Sequence, residues 1–151
     1  MKAKDIMTHP VVSIKATTPV DEIARLLVKH KIGGMPVVDD ENHIIGMVSE
    51  NDLFLKEKGM PFSAIKVPTL FSQWVDPTKI KEIYVDAHLH TAADVLDPNV
   101  VCVDIADDVV DIALLMAQQD LKRVPVLQDG RLVGIITRLE IIYHLALKGK
   151  A

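Results

Sequence analysis

Residues Ile32 to Asp52 read IGGMPVVDDENHIIGMVSEND. Pro36 opens a short apolar run, an acidic turn follows, and a second apolar run from Ile44 leads into Ser49-x-x-Asp52. Residues Leu121 to Glu140 return to the same pattern as LKRVPVLQDGRLVGIITRLE, so that Met35-Pro-Val-Val answers Val124-Pro-Val-Leu and Gly46-Met-Val-Ser answers Gly134-Ile-Ile-Thr. A shift of 89 positions carries Asp5 onto Asp94, Val11 and Val12 onto Val100 and Val101, Val20 onto Val109, and Ile23-Ala24 onto Ile112-Ala113. It also carries Leu26 onto Leu115 and Pro36-Val37 onto Pro125-Val126. Past the turn after Val38 the second copy is one residue shorter. Agreement across four separate elements marks an internal duplication.

Each copy predicts the same series of elements. Lys2–Met7 and Ala92–Leu96 suit a short helical turn, and Val11–Ile14 and Val100–Val103 suit an extended run. A helix follows in both copies. Thr18 is placed to cap the first, with Pro19 at its first position and Asp21 and Glu22 near its positive end. Val20, Ile23, Ala24 and Leu27 share one face of it. In the second copy Asp107 is placed to cap, and Val109, Ile112, Ala113 and Met116 form the face. Two strands come next, Met35–Val38 with Ile44–Val48, and Val124–Leu127 with Leu132–Ile136. Turns at Asp39–Asn42 and Gln128–Arg131 divide them, and Asp129-Gly130 is a strong hairpin sequence. A last helix starts after Ser49 or Thr137. A β-α-β-β-α unit of roughly 50 residues buries too little apolar surface alone. The expectation is therefore an α+β fold in which two repeats, 1–58 and 91–151, pack with pseudo-twofold symmetry. Between them, 59–90 has no counterpart; Phe62, Leu70, Phe71 and Trp74 and a short helix after Asp76-Pro77 predict an ordered insert.

The chain of 151 residues has 49% apolar and 25% charged residues, a globular balance, but only 4% aromatics, so its core must be aliphatic. A formal charge of −4 without a basic run argues against nucleic acid and against an anionic membrane surface. No run approaches the ~18 apolar residues of a membrane span. The opening, Met1-Lys-Ala-Lys-Asp, lacks a signal-peptide core, and the single Cys102 cannot form an internal disulfide. Together these features predict a cytoplasmic protein.

The two copies resemble CBS domains, named after cystathionine β-synthase, in the tandem pair called a Bateman module. The residues that carry this are Asp5-Ile-Met with Thr17-Thr-Pro-Val, Gly34-Met-Pro-Val-Val-Asp and Gly46-Met-Val-Ser-x-x-Asp52. In the second copy they are Ala93-Asp-Val-Leu, Arg123-Val-Pro-Val and Gly134-Ile-Ile-Thr-x-x-Glu140. The resemblance implies clefts between the repeats that bind adenosine-containing ligands such as AMP, ADP, ATP or S-adenosylmethionine. It also implies a regulatory rather than catalytic role, reorientation of the repeats as the signal, and dimers of modules.

Ser49-x-x-Asp52 and Thr137-x-x-Glu140 each fit a capping box, which alone would explain them. The resemblance adds a second role: the acid accepts the two ribose hydroxyls, with Ser or Thr beside the sugar or phosphate. A carboxylate suits a vicinal diol because both its oxygens accept. Glu140 stands where the family prefers Asp. Lys122 and Arg123 precede the Pro-Val strand of the second copy, where the family places a phosphate partner, and a guanidinium fork matches phosphate oxygens. The first copy has Gly33 and Gly34 there, which with Ile32 and Met35 offer close approach to a flat base. Family practice would combine Ile32–Met35 with Arg123 and Glu140 in one cleft, and Leu121–Val124 with Asp52 in the other.

His88-x-His90 lacks the further ligands of a zinc set, and His30, His43 and His144 are expected on the surface. No nucleophile–base signature or glycine-rich phosphate loop is present. The sequence thus predicts no enzyme, no metal and no cofactor. An adenine nucleotide would be the regulatory ligand, an unidentified protein the regulated partner, and a second copy of the chain would meet this one through helices that include Leu26, Leu27, Leu53, Leu114, Leu115 and Ile141. The alternative is a dimeric interaction scaffold with nothing bound in its clefts.

Overall fold

The computed structural model describes residues 1–53 and 90–147. The expected insert lies almost wholly outside the described residues, as do the ends of both expected domains at 58 and 151. The chain forms two compact units. One comprises Met1–Val12, Asp40–Ile44 and Asn99–Ala151, and the other comprises Ser13–Asp39 and Ile45–Pro98. Both are mixed α+β.

The second repeat supplies most of the first unit. After the strand β3 (Val103–Asp104) come helix α5 (Val109–Gln118), strands β4 (Arg123–Gln128) and β5 (Arg131–Thr137), and helix α6 (Arg138–Ile142), which runs on into a π-helical turn at Tyr143–Leu147. β3 pairs parallel with β4, and β4 pairs antiparallel with β5, with Val124 opposite Ile136 and Gln128 opposite Arg131. The hairpin turn falls where the sequence places it, between Gln128 and Arg131. Asp129 and Gly130 alone span it, at φ of 52° and 79°, and positive φ at both positions gives the strand twist a two-residue loop needs. The extended run also narrows: only its last residue, Val103, with Asp104, enters the sheet.

In the other unit α2 (Val20–His30) precedes β1 (Gly34–Val38), β2 (Ile44–Ser49) and α3 (Glu50–Leu53). β1 and β2 form a two-stranded sheet. Ile14, the counterpart of Val103, forms a parallel bridge to Val37, with its amide on the Pro36 carbonyl at 3.0 Å.

The lead-in turns α1 (Ala3–Ile6) and α4 (Ala92–Val95) do not stay with their own repeats. α1 joins the unit of the second repeat, where Ala3 N donates to the Asp107 carbonyl at 2.9 Å and Val109 N donates to the Met1 carbonyl at 3.0 Å. α4 joins the unit of the first repeat, where Ala92 N donates to the Thr18 carbonyl at 2.8 Å and Val20 N to the His90 carbonyl at 2.9 Å. Asp5 and Asp94, matched by the duplication, accept from the amides of Lys2 and Thr91 at 2.7 and 2.9 Å and so close these turns.

Two helix caps differ from the sequence reading. Asp108, not Asp107, caps α5, accepting from Val110 N at 2.9 Å, while Asp107 accepts from Asp104 N. Pro19 is the N-cap of α2 and makes no side-chain cap; Thr18 accepts from Lys15 N instead. The carbonyl of the exchanged lead-in has taken over the amide that a Thr18 cap would serve.

The glycines of the repeated motif have a steric reason. A Cβ on Gly134 would run into the Met7 side chain, and one on Gly46 would lie 2.7 Å from Leu96 Cδ1. Met7 and Leu96 are counterparts, so each lead-in crosses a strand at its glycine. The core of the first unit is aliphatic: Ala3, Ile6, Val103, Val109, Ile112, Met116, Val124, Val126 and Ile136, with Met7, Leu115 and Ile141 packed against it. In the other unit Ile14, Val20, Ile23, Leu27, Met35, Val37, Val48, Leu53 and Ala92 are buried. Each buried Val, Ile, Leu or Met among them contributes on the order of 1.5–3 kcal/mol. No helix among the described residues is long and apolar enough to cross a membrane.

Candidate functional site

Each repeat ends its second strand in a carboxylate-closed junction. At the end of β2 the Asp52 Oδ2 accepts from Ser49 N at 2.8 Å and from Ser49 Oγ at 3.0 Å. At the end of β5 the Glu140 Oε2 accepts from Thr137 N at 2.7 Å and from the Thr137 hydroxyl. The capping role expected for both motifs is therefore built. Both acids are half-buried, which leaves one side of each open to solvent.

The loop before each Pro-Val strand lies beside the junction of its own repeat. α2 and α5 both end on a residue with left-handed backbone, Lys31 at φ 53° and Asp120 at φ 52°. That reversal lets Ile32 N reach the Leu27 carbonyl at 3.1 Å and Leu121 N reach the Met116 carbonyl at 2.9 Å, and it aims the loops along the sheet. Glu50 N then donates to the Gly33 carbonyl at 2.9 Å, and Arg138 N donates to the Lys122 carbonyl at 3.3 Å. Ile32, Gly33, Gly34 and Met35 are thus brought beside Ser49 and Asp52, and Leu121, Lys122 and Arg123 beside Thr137 and Glu140. These bonds join each loop to the first residue of the helix that follows its own repeat's junction, Glu50 or Arg138. Gly34 and Met35 are buried in β1, while Lys122 is exposed and Arg123 half-buried at the start of β4. Arg138 adds a charge that the sequence reading passed over: its guanidinium donates to the Leu121 carbonyl at 2.9 Å and to Asp120 at 2.7 Å, which pins the loop.

Thr8 is the other residue missed. Its hydroxyl donates to Glu140 Oε1 at 3.0 Å, across 132 positions of sequence. The backbone holds it there, with Thr8 N on the Ile135 carbonyl at 2.9 Å and Ile135 N on the Thr8 carbonyl at 3.1 Å. Burial pushes the Glu140 carboxyl up, but bonds from the Thr137 hydroxyl and amide, its own amide and the Thr8 hydroxyl outweigh this and hold it below the usual glutamate value. Cys102 is half-buried, and burial pushes its thiol up, so it is not an activated nucleophile. His90 lies 3.7 Å from Asp94, and His88 lies outside the described residues. His144, expected on the surface, is half-buried, with its ring edge-on to Tyr143.

Two duplicated β-α-β-β-α units, each with a hydroxyl–carboxylate junction beside the loop of its Pro-Val strand, define a tandem repeat protein. The chain belongs to the CBS domain family, which it matches over residues 3–58 and 92–147. It is similar to the CBS domain-containing protein CBSX1, chloroplastic, of Arabidopsis thaliana, with 30% identity over 134 residues, 85% of this chain and 56% of that protein. The chain thus spans about half the length of the curated relatives it matches first. Among solved structures, it resembles the CBS domain of a CBS domain-containing membrane protein from Sphaerobacter thermophilus, with 30% identity and a TM-score of 0.75 over 94% of this chain and 86% of that one. It also resembles CBSX2 in complex with AMP, with 27% identity and a TM-score of 0.76 over 99% of each chain.

Proposed function

We propose that this protein is a regulatory module, not an enzyme, that binds an adenine nucleotide through its strand-to-helix junctions and passes the binding event to a partner protein. The observation that carries the reading is the juxtaposition at the second repeat. There a half-buried carboxylate, Glu140, adjoins a loop bearing Lys122 and Arg123. An acceptor for sugar hydroxyls and a fork for phosphate are the two chemistries a nucleoside phosphate needs. That CBSX2 has been solved with AMP supports the choice of ligand. Ile32 to Met35 with Ser49 and Asp52 offer the corresponding surface in the first repeat, without the cations. Signalling follows by population shift: the nucleotide stabilises the conformation that binds it best, and the partner reads that conformation.

Calorimetric titration with AMP and adenosine tests this. AMP should bind more tightly than adenosine, salt should narrow the gap, and Arg123→Ala should remove most of it. Asp52→Ala and Glu140→Ala should each weaken binding at their own junction by about 1.5–3 kcal/mol, the range for a hydrogen bond to a charged group. Equal binding of the two ligands by the native protein rejects the role of Arg123. The completed capping boxes favour one rival, a scaffold in which both acids serve structure alone. Absence of any rise in melting temperature with AMP, ADP or ATP would establish the rival.

The same module should form a homodimer through helices, with the contact on the second repeat. Val110 and Leu114 on α5 are 53% and 55% exposed, and Ile142 on α6 is 55% exposed. Of the expected interface residues, Leu27 and Leu53 are buried, while Leu115 and Ile141 are partly buried against the core.

A further inference from the structure

We propose that Arg138 is a positioning residue for the phosphate partners of the second repeat: through its bond to the Leu121 carbonyl it holds the loop that presents Lys122 and Arg123. This rests on the adenine nucleotide reading above and deepens it, since Arg138 acts through the loop and not on the ligand.

One side chain and its amide reach three consecutive positions of that loop. Arg138 Nε donates to the Leu121 carbonyl at 2.9 Å, a terminal guanidinium nitrogen donates to Asp120 Oδ1 at 2.7 Å, and the Arg138 amide donates to the Lys122 carbonyl at 3.3 Å. The next residue, Arg123, opens β4 opposite Thr137. The loop needs such support. It turns on Asp120 at φ 52°, a left-handed backbone that residues other than glycine keep only where their surroundings hold it. The bonds differ in weight. Asp120 is almost wholly in water and Arg138 is about half exposed, so their ion pair is screened and contributes little. The bond to Leu121 joins a charged donor to the carbonyl of a half-buried residue, and it carries the positioning role.

The first repeat supplies the comparison. Its loop turns on Lys31 at φ 53°, and Ile32 N binds the preceding helix as Leu121 N does. Lys31 and Glu50 stand where the second repeat has Asp120 and Arg138, so the charges are exchanged. Glu50 reaches its loop through the backbone, with its amide on the Gly33 carbonyl at 2.9 Å. Its carboxylate has no hydrogen to offer the Ile32 carbonyl. The side-chain clamp is thus built on the loop that carries Lys122 and Arg123, and on the uncharged Ile32–Met35 loop its place is taken by an acid that cannot form it.

The test uses the full chain and compares affinity for AMP with affinity for adenosine, by calorimetry in about 0.15 M salt, where the field of an exposed charge fades within roughly 8 Å. Arg138→Ala should lower the AMP-to-adenosine ratio roughly two- to twelvefold, the range for one hydrogen bond at a partly exposed site. Two further variants separate the hydrogen bond from the charge. Arg138→Gln keeps an N–H donor as many bonds from the backbone as Nε and loses the charge; Arg138→Lys keeps the charge and has a carbon there. Arg138→Gln should retain most of the native ratio, and Arg138→Lys should fall with Arg138→Ala. The reverse order, or an unchanged ratio in Arg138→Ala, overturns the proposal, and the functional reading stands if Arg123→Ala still removes the preference for AMP. Equal binding of AMP and adenosine by the native protein overturns it together with the phosphate role of Arg123. Failure of AMP to bind the native protein overturns both the proposal and the function.

Discussion

At the end of β2, Ser49 and Asp52 close a junction whose lead-in neighbour is the acid Asp97; at the end of β5, Thr137 and Glu140 close one whose lead-in neighbour is Thr8. The plan is shared, down to the glycine under each lead-in. The charge is not. The first repeat has Asp97 where the second has Thr8, and the uncharged Ile32–Met35 loop where the second has Lys122 and Arg123. The outer helix faces diverge in the same sense. Where α2 shows Asp21 and Arg25, with Arg25 bonded to Glu22 at 2.6 Å, α5 shows Val110 and Leu114. A duplicated fold keeps its packing positions because the core tolerates little change. Its exposed positions are held by no such constraint, and there the copies differ: α5 exposes Val110 and Leu114 where α2 has Asp21 and Arg25.

The largest effect should come from breaking what the repeats share. Ile136→Ala should cost about 2–5 kcal/mol in urea unfolding, the usual range for a buried isoleucine. Val48→Ala, its counterpart, should cost less because fewer buried carbons are lost; equal losses would mean that the two cores are not built alike. Next come the helix faces. Leu114→Asp should leave a folded monomer by light scattering, whereas Leu115→Asp should unfold the chain because Leu115 lies on the core. A folded monomer from Leu115→Asp would reverse that assignment. The caps follow. Asp108→Ala should destabilise by about 1 kcal/mol through loss of the Val110 bond. Thr18→Ala should cost less, since His90 serves the start of α2. The smallest effect is in pH. Glu140 is held below its ordinary value in the folded state, so its contribution is present above that value and is lost as pH falls through the folded one. The stability gap between the native protein and Glu140→Gln should therefore be widest near neutrality and shrink in acid. A gap that grows in acid would contradict the bonding around Glu140.

The element order was legible in the sequence because periodicity and turn residues act locally. The Asp129-Gly130 turn, the alternation in β5 and the apolar face of α5 are settled by neighbours within a few positions. The duplication fixed the matched sites, since Ser49-x-x-Asp52 and Thr137-x-x-Glu140 close their junctions within four residues. What the sequence left open involved contacts over long separations. The exchange of the lead-in turns moved Thr18 off its cap, explained Gly46 and Gly134, and set Thr8 against Glu140. Thr8 aligns with Asp97, so the repeat comparison had no reason to mark it. A hydrogen bond across 132 positions leaves no periodic trace, and only the tertiary structure, by bringing the first residues of the chain onto its last strand, decided that it forms.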